Sequence, residues 1–234
     1  MKVVILCGGE GMRLREYTDK IPKPLIEIGG KSILWHIMKI YAHYGHDDFI
    51  LCLGYKGDKI KEYFEANGHE FRNVVFADTG LDSSKAERLK KIEKLVDGDD
   101  FFLAYGDDVS NVDINQILKF HLKKKKTATI TSVNLASQYG ILKLNGKCEI
   151  TDFVEKPVLD CWINGGFFVL NRRIFDHIRK GMELEDDVFR KLSKEKDIVA
   201  FKHRGFWKSM NTLKDVKELN DMWESGRAPW KVWK

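Results

Sequence analysis

The chain of 234 residues is 43% apolar and 32% charged, with four prolines and a formal net charge of +5. These values are ordinary for a folded domain and exclude long disorder; the slight basic excess suits an anionic small substrate, whereas nucleic-acid binders concentrate basic charge on one face. No apolar run approaches the roughly 20 residues of a membrane helix. The apolar start Met1–Cys7 meets Gly8-Gly9-Glu10-Gly11 too soon for a signal peptide, so a cytoplasmic protein with neither membrane nor nucleic acid as partner is expected.

Lys2–Cys7 is short, rich in Val and Ile and ended by glycines, which predicts a buried strand. Ser32 to His43 predicts a helix, with Ser32 as N-cap, Ile33, Ile37, Ile40 and Tyr41 on one face, and Gly45 as the stop. Phe49–Leu53 reads as a strand, Asp58–Phe64 as a short helix, Val74–Phe76 as a strand and Lys85–Val96 as a helix. Phe101–Tyr105 is a strand ending in Gly106-Asp107-Asp108, with Asp108 expected to be a turn residue. Asp113 caps a helix to about Lys123, whose last residues open the basic run Lys123–Lys126; Thr127–Val133 is the next strand. This alternation implies a mostly parallel sheet with helices on both faces and ligands at the carboxyl ends of its strands. After about residue 138 the rhythm changes. Asn145-Gly146 between Ile141–Leu144 and Glu149–Val154 predicts a two-residue hairpin. Gly165–Leu170 and Ile198–Lys202 read as strands, and Arg172–Arg179, Asp186–Lys194 and Thr212–Trp223 as helices. An antiparallel addition over the sheet edge is expected from this half. Cys7, Cys52, Cys148 and Cys161 form no CxxC pair and are expected as buried thiols. The aromatic tail, Trp223 and Trp230 to Trp233, is either packed on the domain or part of a subunit contact.

The glycine loop Gly8–Arg13 follows the first strand. Glycines there let backbone approach a phosphate and aim N–H groups at it. A P-loop would carry Lys-Ser/Thr after the last glycine, but Met12-Arg13 stands there. A dinucleotide fingerprint would carry Gly or Ala where Leu14 is. What remains is a glycine loop ending in arginine, with Lys23 held between Pro22 and Pro24. Two fixed cations beside such a loop suit a polyphosphate. Asp107, at the end of an apolar strand, presents a carboxylate of the kind Mg²⁺ takes together with phosphate oxygens and water.

These motifs resemble the signature of the sugar-1-phosphate nucleotidylyltransferases. Tyr105-Gly106-Asp107, Glu155-Lys156-Pro157, Asn164-Gly165-Gly166 and Trp207-x-x-Met210 follow in the expected order. Within that family, Glu27–Lys31, Leu34–Lys39, Gly54–Gly57, Asp78–Gly80, Arg88–Lys90 and Ala228–Lys231 resemble the glucose-1-phosphate cytidylyltransferase subgroup. The resemblance implies a Rossmann-like α/β fold of the nucleotidyltransferase (GT-A-like) type in one domain, 1–234. Its halves would be nucleotide-binding over 1–138 and acceptor-binding over 139–234. It implies Arg13 and Lys23 as catalytic residues, and Leu6, Gly8, Gly9, Gly11, Met12, Thr79, Gly80, Arg88 and Gly106 beside them on the nucleotide. It places Tyr105, Gly140, Glu155, Lys156, Asn164 and Gly165 on the acceptor, and Mg²⁺ on Asp107 and Asn211. The implied partners are CTP and a phosphorylated small molecule, in a homo-oligomer feeding polysaccharide synthesis.

Two departures stand out: the segment between Phe64 and Asp78 is short for the glucose enzymes, and Met210-Asn211-Thr212 stands where the family has Met-Asp-Thr. Asparagine lends Mg²⁺ a carbonyl oxygen but no charge. The implied reaction moves CMP from CTP to a sugar 1-phosphate, most naturally glucose 1-phosphate, releasing pyrophosphate. The alternatives are a cytidylyltransferase with another phosphorylated acceptor, not necessarily a sugar, and a thymidylyl- or uridylyltransferase. A phosphomonoester, with a second pKa of about 6, is already a nucleophile at neutral pH. The barrier is repulsion between two anions, about 4 kcal/mol per close charge pair at an effective dielectric of roughly 20. Arg13 is expected on the β,γ-phosphates, Lys23 on the α-phosphate and Lys156 on the acceptor phosphate.

Overall fold

The computed structural model describes residues 1–67, 70–137 and 139–234. Residue 138, the expected boundary between halves, and residues 68 and 69 of the short 64–78 segment lie outside the described residues. Val3, Val4 and Ile5 of β1 (Lys2–Leu6) are all fully buried, because both faces of this strand are covered and its side chains alternate between them. Val3 and Ile5 join one core and Val4 the other.

The first half contains α1 (Arg15–Thr18), the ribbon β2 (Glu27–Ile28) and β3 (Lys31–Ser32), α2 (Ile33–His43), β4 (Asp48–Leu53), α3 (Gly57–Asn67), β5 (Asn73–Asp78), α4 (Lys85–Lys91) and β6 (Asp100–Tyr105). It continues through β7 (Asp108–Ser110), α5 (Ile114–Lys124) and β8 (Ala128–Ala136). The second half supplies β9 (Ile141–Leu144), β10 (Ile150–Val154), β11 (Val158–Asn171), α6 (Arg190–Lys194), β12 (Ile198–His203), β13 (Trp207–Ser209) and α7 (Leu213–Glu224). The main sheet has seven strands in the order β12-β8-β11-β6-β1-β4-β5. β1, β4, β5 and β6 pair in parallel, as do β8 and β12, and β11 runs antiparallel to both neighbours.

The predicted α/β architecture is therefore present, with helices on both faces. α2, α5 and α7 cover one core, and α4 with the segment 172–192 covers the other. Local chemistry sets the helix starts: Ser32 Oγ accepts from the Trp35 amide at 3.1 Å, Asp113 accepts from Gln116 at 3.0 Å, and Ser84 forms a capping box with Glu87. The basic run is the solvated last turn of α5, as expected.

Four expectations need correction. β11 is 14 residues long, not a strand beginning at Gly165, and it inserts between β6 and β8; the small antiparallel addition expected from this half is present as the β9–β10 ribbon. The Asn145-Gly146 turn is a five-residue loop, 145–149. Asn145 Oδ1 accepts from the amides of Lys147 and Glu149, and the left-handed residue is Cys148; the asparagine side chain organises the longer loop and outweighs the dipeptide signal. Cys7 and Cys52 are buried, but Cys148 and Cys161 are exposed, one in that loop and one on a strand with an open face. Asp108 is buried in β7 and not a turn residue. The aromatic tail packs on the domain: Trp230 is 1% exposed, stacked on Phe206 and Trp223. Its indole N–H donates to His36 Nδ1 at 3.4 Å, while His36 Nε2 donates to the Ile28 carbonyl at 2.8 Å. Burial in that aromatic cage lowers the His36 pKa to about 4.

Candidate active site

Parallel β1 and β6 lie side by side, so the loops leaving their carboxyl ends open onto one edge. Between them is a cleft of about 650 Å³. Leu6, Gly8, Gly9, Gly11, Met12 and Arg13 form one wall, and Lys23, Tyr105, Gly106, Asp107, Asn164 and Asn211 also line it. The backbone N–H groups of Gly9, Glu10 and Gly11 donate to no described residue, which leaves them available to an anion. Gly8 has a steric reason: a Cβ there would lie 2.1 Å from an Arg88 guanidinium nitrogen.

At the floor, residues far apart in sequence meet. Lys23, 9% exposed, donates its ammonium to the Asp107 carboxylate and, at 3.0 Å, to Asn211 Oδ1. Asn211 is oriented by its other end, because Nδ2 donates to Ser209 Oγ at 2.8 Å. A carboxylate and an amide oxygen thus converge on one cation, the ammonium, and the same pair suits Mg²⁺, which completes its shell with phosphate oxygens and water. Asp215 is no third ligand: its carboxylate caps α7 through Thr212 and pairs with Lys208 at 2.9 Å.

Sequence motifs did not reveal the place of Asp108. The ribbon of β7 with β13 holds it 4% exposed in the cleft wall. Gly166, at φ +75°, makes the room, because a Cβ there would lie 2.0 Å from the Asp108 carboxylate. Burial, then the neighbouring Asp107 charge, pushes the Asp108 carboxyl well above the ordinary range. Lys85, Ser83, Ser84, Glu183 and Trp207 also line the cleft. Of these only Trp207 carried a sequence signal.

Not every expected site residue reaches the cleft. Thr79 is fully buried behind the wall and accepts from Arg88 at 2.8 Å; Gly80 lies on the far side of the same loop. Arg88 borders the cleft, but its two terminal nitrogens are committed to Thr79 Oγ1 and to the carbonyls of Gly8, Leu53, Gly80 and Leu81. It is a strut tying the glycine loop to the 79–81 loop, not a free reader of a base or phosphate. Gly165 stands behind the wall, its carbonyl accepting from Trp207 Nε1 at 2.8 Å. Gly140, Glu155 and Lys156 lie outside the cleft lining, on the β9–β10 hairpin. Gly140 faces Phe153 and Glu155, and Lys156 turns through φ +47° to pair with its own neighbour Glu155 at 3.6 Å.

The nucleotidyl transferase family model matches residues 2–226. A probable glucose-1-phosphate cytidylyltransferase of Bacillus subtilis (strain 168) is 41% identical over an alignment of 255 positions, covering all of both chains. The glucose-1-phosphate cytidylyltransferase of Salmonella typhimurium (strain LT2) is 42% identical over 257, again covering both fully. Among solved structures, HddC from Yersinia pseudotuberculosis complexed with GMP-PN superposes with a TM-score of 0.75 at 24% identity, covering 95% of this chain and 99% of that one. A UDP-glucose pyrophosphorylase complexed with UDP-glucose gives 0.73 at 19%, covering 97% and 99%. The fold, the cleft floor and the full-length relatives agree, and the chain belongs to the nucleotidyl transferase family.

Proposed function

We propose that the protein transfers CMP from CTP to a sugar 1-phosphate, glucose 1-phosphate in the first instance, and releases pyrophosphate. The observation that carries this reading is the union of Lys23, Asp107 and Asn211 at the floor of a cleft walled by an arginine-ended glycine loop. The names of its full-length relatives support the choice of CTP and glucose 1-phosphate.

An oxygen of the acceptor phosphate attacks the α-phosphorus as the bond to the β-phosphate oxygen breaks, so one P–O bond forms and one is lost. The nucleophile is dianionic at neutral pH and needs no base. Alignment and counter-charge supply the acceleration. The free N–H groups of the glycine loop and Arg13 receive the β,γ-phosphates, and Lys23 turns from Asp107 toward the α-phosphate. Asp107 and Asn211 would hold Mg²⁺, which supplies positive charge to the phosphate oxygens when bound. A second acceptor class, another phosphorylated metabolite, is favoured by the position of Glu155 and Lys156 outside the cleft. Pyrophosphate release with CTP, dTTP and UTP, each against a panel of sugar 1-phosphates and other phosphomonoesters, tests the reading. Release with CTP and a sugar 1-phosphate is expected; release with only another triphosphate, or with no acceptor at all, overturns it.

A further inference from the structure

The cleft floor departs from the family pattern at Asn211, and the departure creates a problem of orientation. A carboxylate presents oxygen at both ends, whereas an amide presents oxygen at one end and N–H donors at the other. A half-turn of the Asn211 side chain would aim donors at the place where a cation belongs. The backbone does not prevent it. Met210 N–H donates to the Asp107 carbonyl at 2.9 Å and Asn211 N–H to the Asp215 carboxylate at 3.1 Å, which fixes where residue 211 stands but leaves its amide free to turn. Ser209 settles the turn. Its Oγ accepts from Asn211 Nδ2 at 2.8 Å, the one partner of that nitrogen among the described residues, and Oδ1 is left facing Lys23 at 3.0 Å. A hydroxyl could equally donate to the amide and reverse it. Opposite Ser209 in the β7–β13 register stands buried Asp108, which accepts the hydroxyl proton. Ionised or not, a carboxyl keeps an acceptor oxygen for that proton.

We infer that Ser209 is a positioning residue: with its proton held by Asp108, it keeps the Asn211 carbonyl turned to the cation site and lets an amide serve where the family pattern has a carboxylate. The inference rests on the transferase reading above and deepens it. Lys23 and a metal ion both favour the amide oxygen, but each can leave. When Lys23 turns to the α-phosphate, the contact with Ser209 is the one that stays. Asp108, Ser209 and Asn211 all line the cleft, and their bonds run in one direction: Lys23 donates to Asn211, Asn211 to Ser209, and Ser209 to Asp108. In such a line each bond polarises the next, which adds negative character to Asn211 Oδ1 and offsets part of the charge an amide lacks.

Mn²⁺ binding without nucleotide, read by electron paramagnetic resonance in wild type, Ser209→Ala, Asn211→Asp and the double variant, tests the inference. Alanine removes only the hydroxyl from a half-buried strand position, and the melting temperatures should agree. Ser209→Ala should weaken Mn²⁺ binding about tenfold, the loss typical of a partner that orients a ligand. In the Asn211→Asp background the same substitution should change the affinity by less than about twofold, since a carboxylate needs no partner to choose which end faces the ion. Equal affinity in wild type and Ser209→Ala, an equal loss in both backgrounds, or no Mn²⁺ binding by the wild type overturns the inference. The transferase reading is judged separately, by pyrophosphate release in the wild type.

Discussion

The cleft floor and the β9–β10 hairpin both carry family motifs, yet they are built in opposite ways. At the floor, Lys23, Asp107 and Asn211 come from three distant segments, and the Lys23 ammonium bonds to both of the others beside buried β1 and β6. On the hairpin every residue of β9 and β10 is exposed, including Phe153 and Leu144, and Glu155 and Lys156 bond to each other. The first arrangement is fixed by packing, so its geometry holds before a ligand arrives. The second is a two-stranded ribbon without a core, and such ribbons are marginal by themselves.

The sharpest way to break the comparison is through the supports of the floor. Trp230 is buried against Phe206, whose carbonyl accepts from Ser110 Oγ at 2.8 Å and so anchors the β7–β13 ribbon beneath Asp108. Trp230→Ala should cost about 3–5 kcal/mol in denaturant unfolding, and a loss below about 1 kcal/mol would show the tail to be dispensable. Lys23→Ala should cut kcat/KM by roughly 10²–10³ with the fold intact; near-wild-type turnover would remove Lys23 from the reaction.

His36 offers a test by pH. Its folded pKa of about 4 lies below its ordinary 6.5, so the unfolded chain binds a proton that the folded one refuses. Stability is full above pH 6.5 and falls by about 3 kcal/mol as the pH drops toward 4. His36→Gln should melt with a shallower pH dependence over that window, and an unaltered slope would show that His36 is not the group responsible. Asn211→Asp should tighten Mn²⁺ binding severalfold, read by electron paramagnetic resonance without nucleotide, because a carboxylate replaces an amide beside Asp107. No change would place residue 211 away from the metal. The smallest effect belongs to the hairpin: Phe153→Ser should change stability by no more than about 0.5 kcal/mol, and a large loss would mean that something covers the ribbon.

Much of the fold was legible locally. The strand runs of the first half, the Ser32 and Asp113 caps and the terminal helix appear where periodicity put them, because each depends on neighbours in sequence. β7 and β13 were not legible, since a three-residue ribbon closed by residues about a hundred positions apart leaves no periodic trace. The glycine loop, Lys23, Asp107 and Asn211 were readable as motifs. The spent state of Arg88, the burial of Asp108 and the exposure of Lys85 were not, because what a side chain bonds to depends on segments distant in sequence.

By itself the sequence determined the α/β alternation, the helix caps and the residue types of the glycine loop and the cleft floor, since these follow from local periodicity and side-chain chemistry. Only the tertiary structure decided which cations remain free. Arg88 borders the cleft, yet it is consumed by five acceptors brought from three segments, the glycine loop, the end of β4 and the 79–81 loop. A charge is available to a ligand only when folding has not already satisfied it.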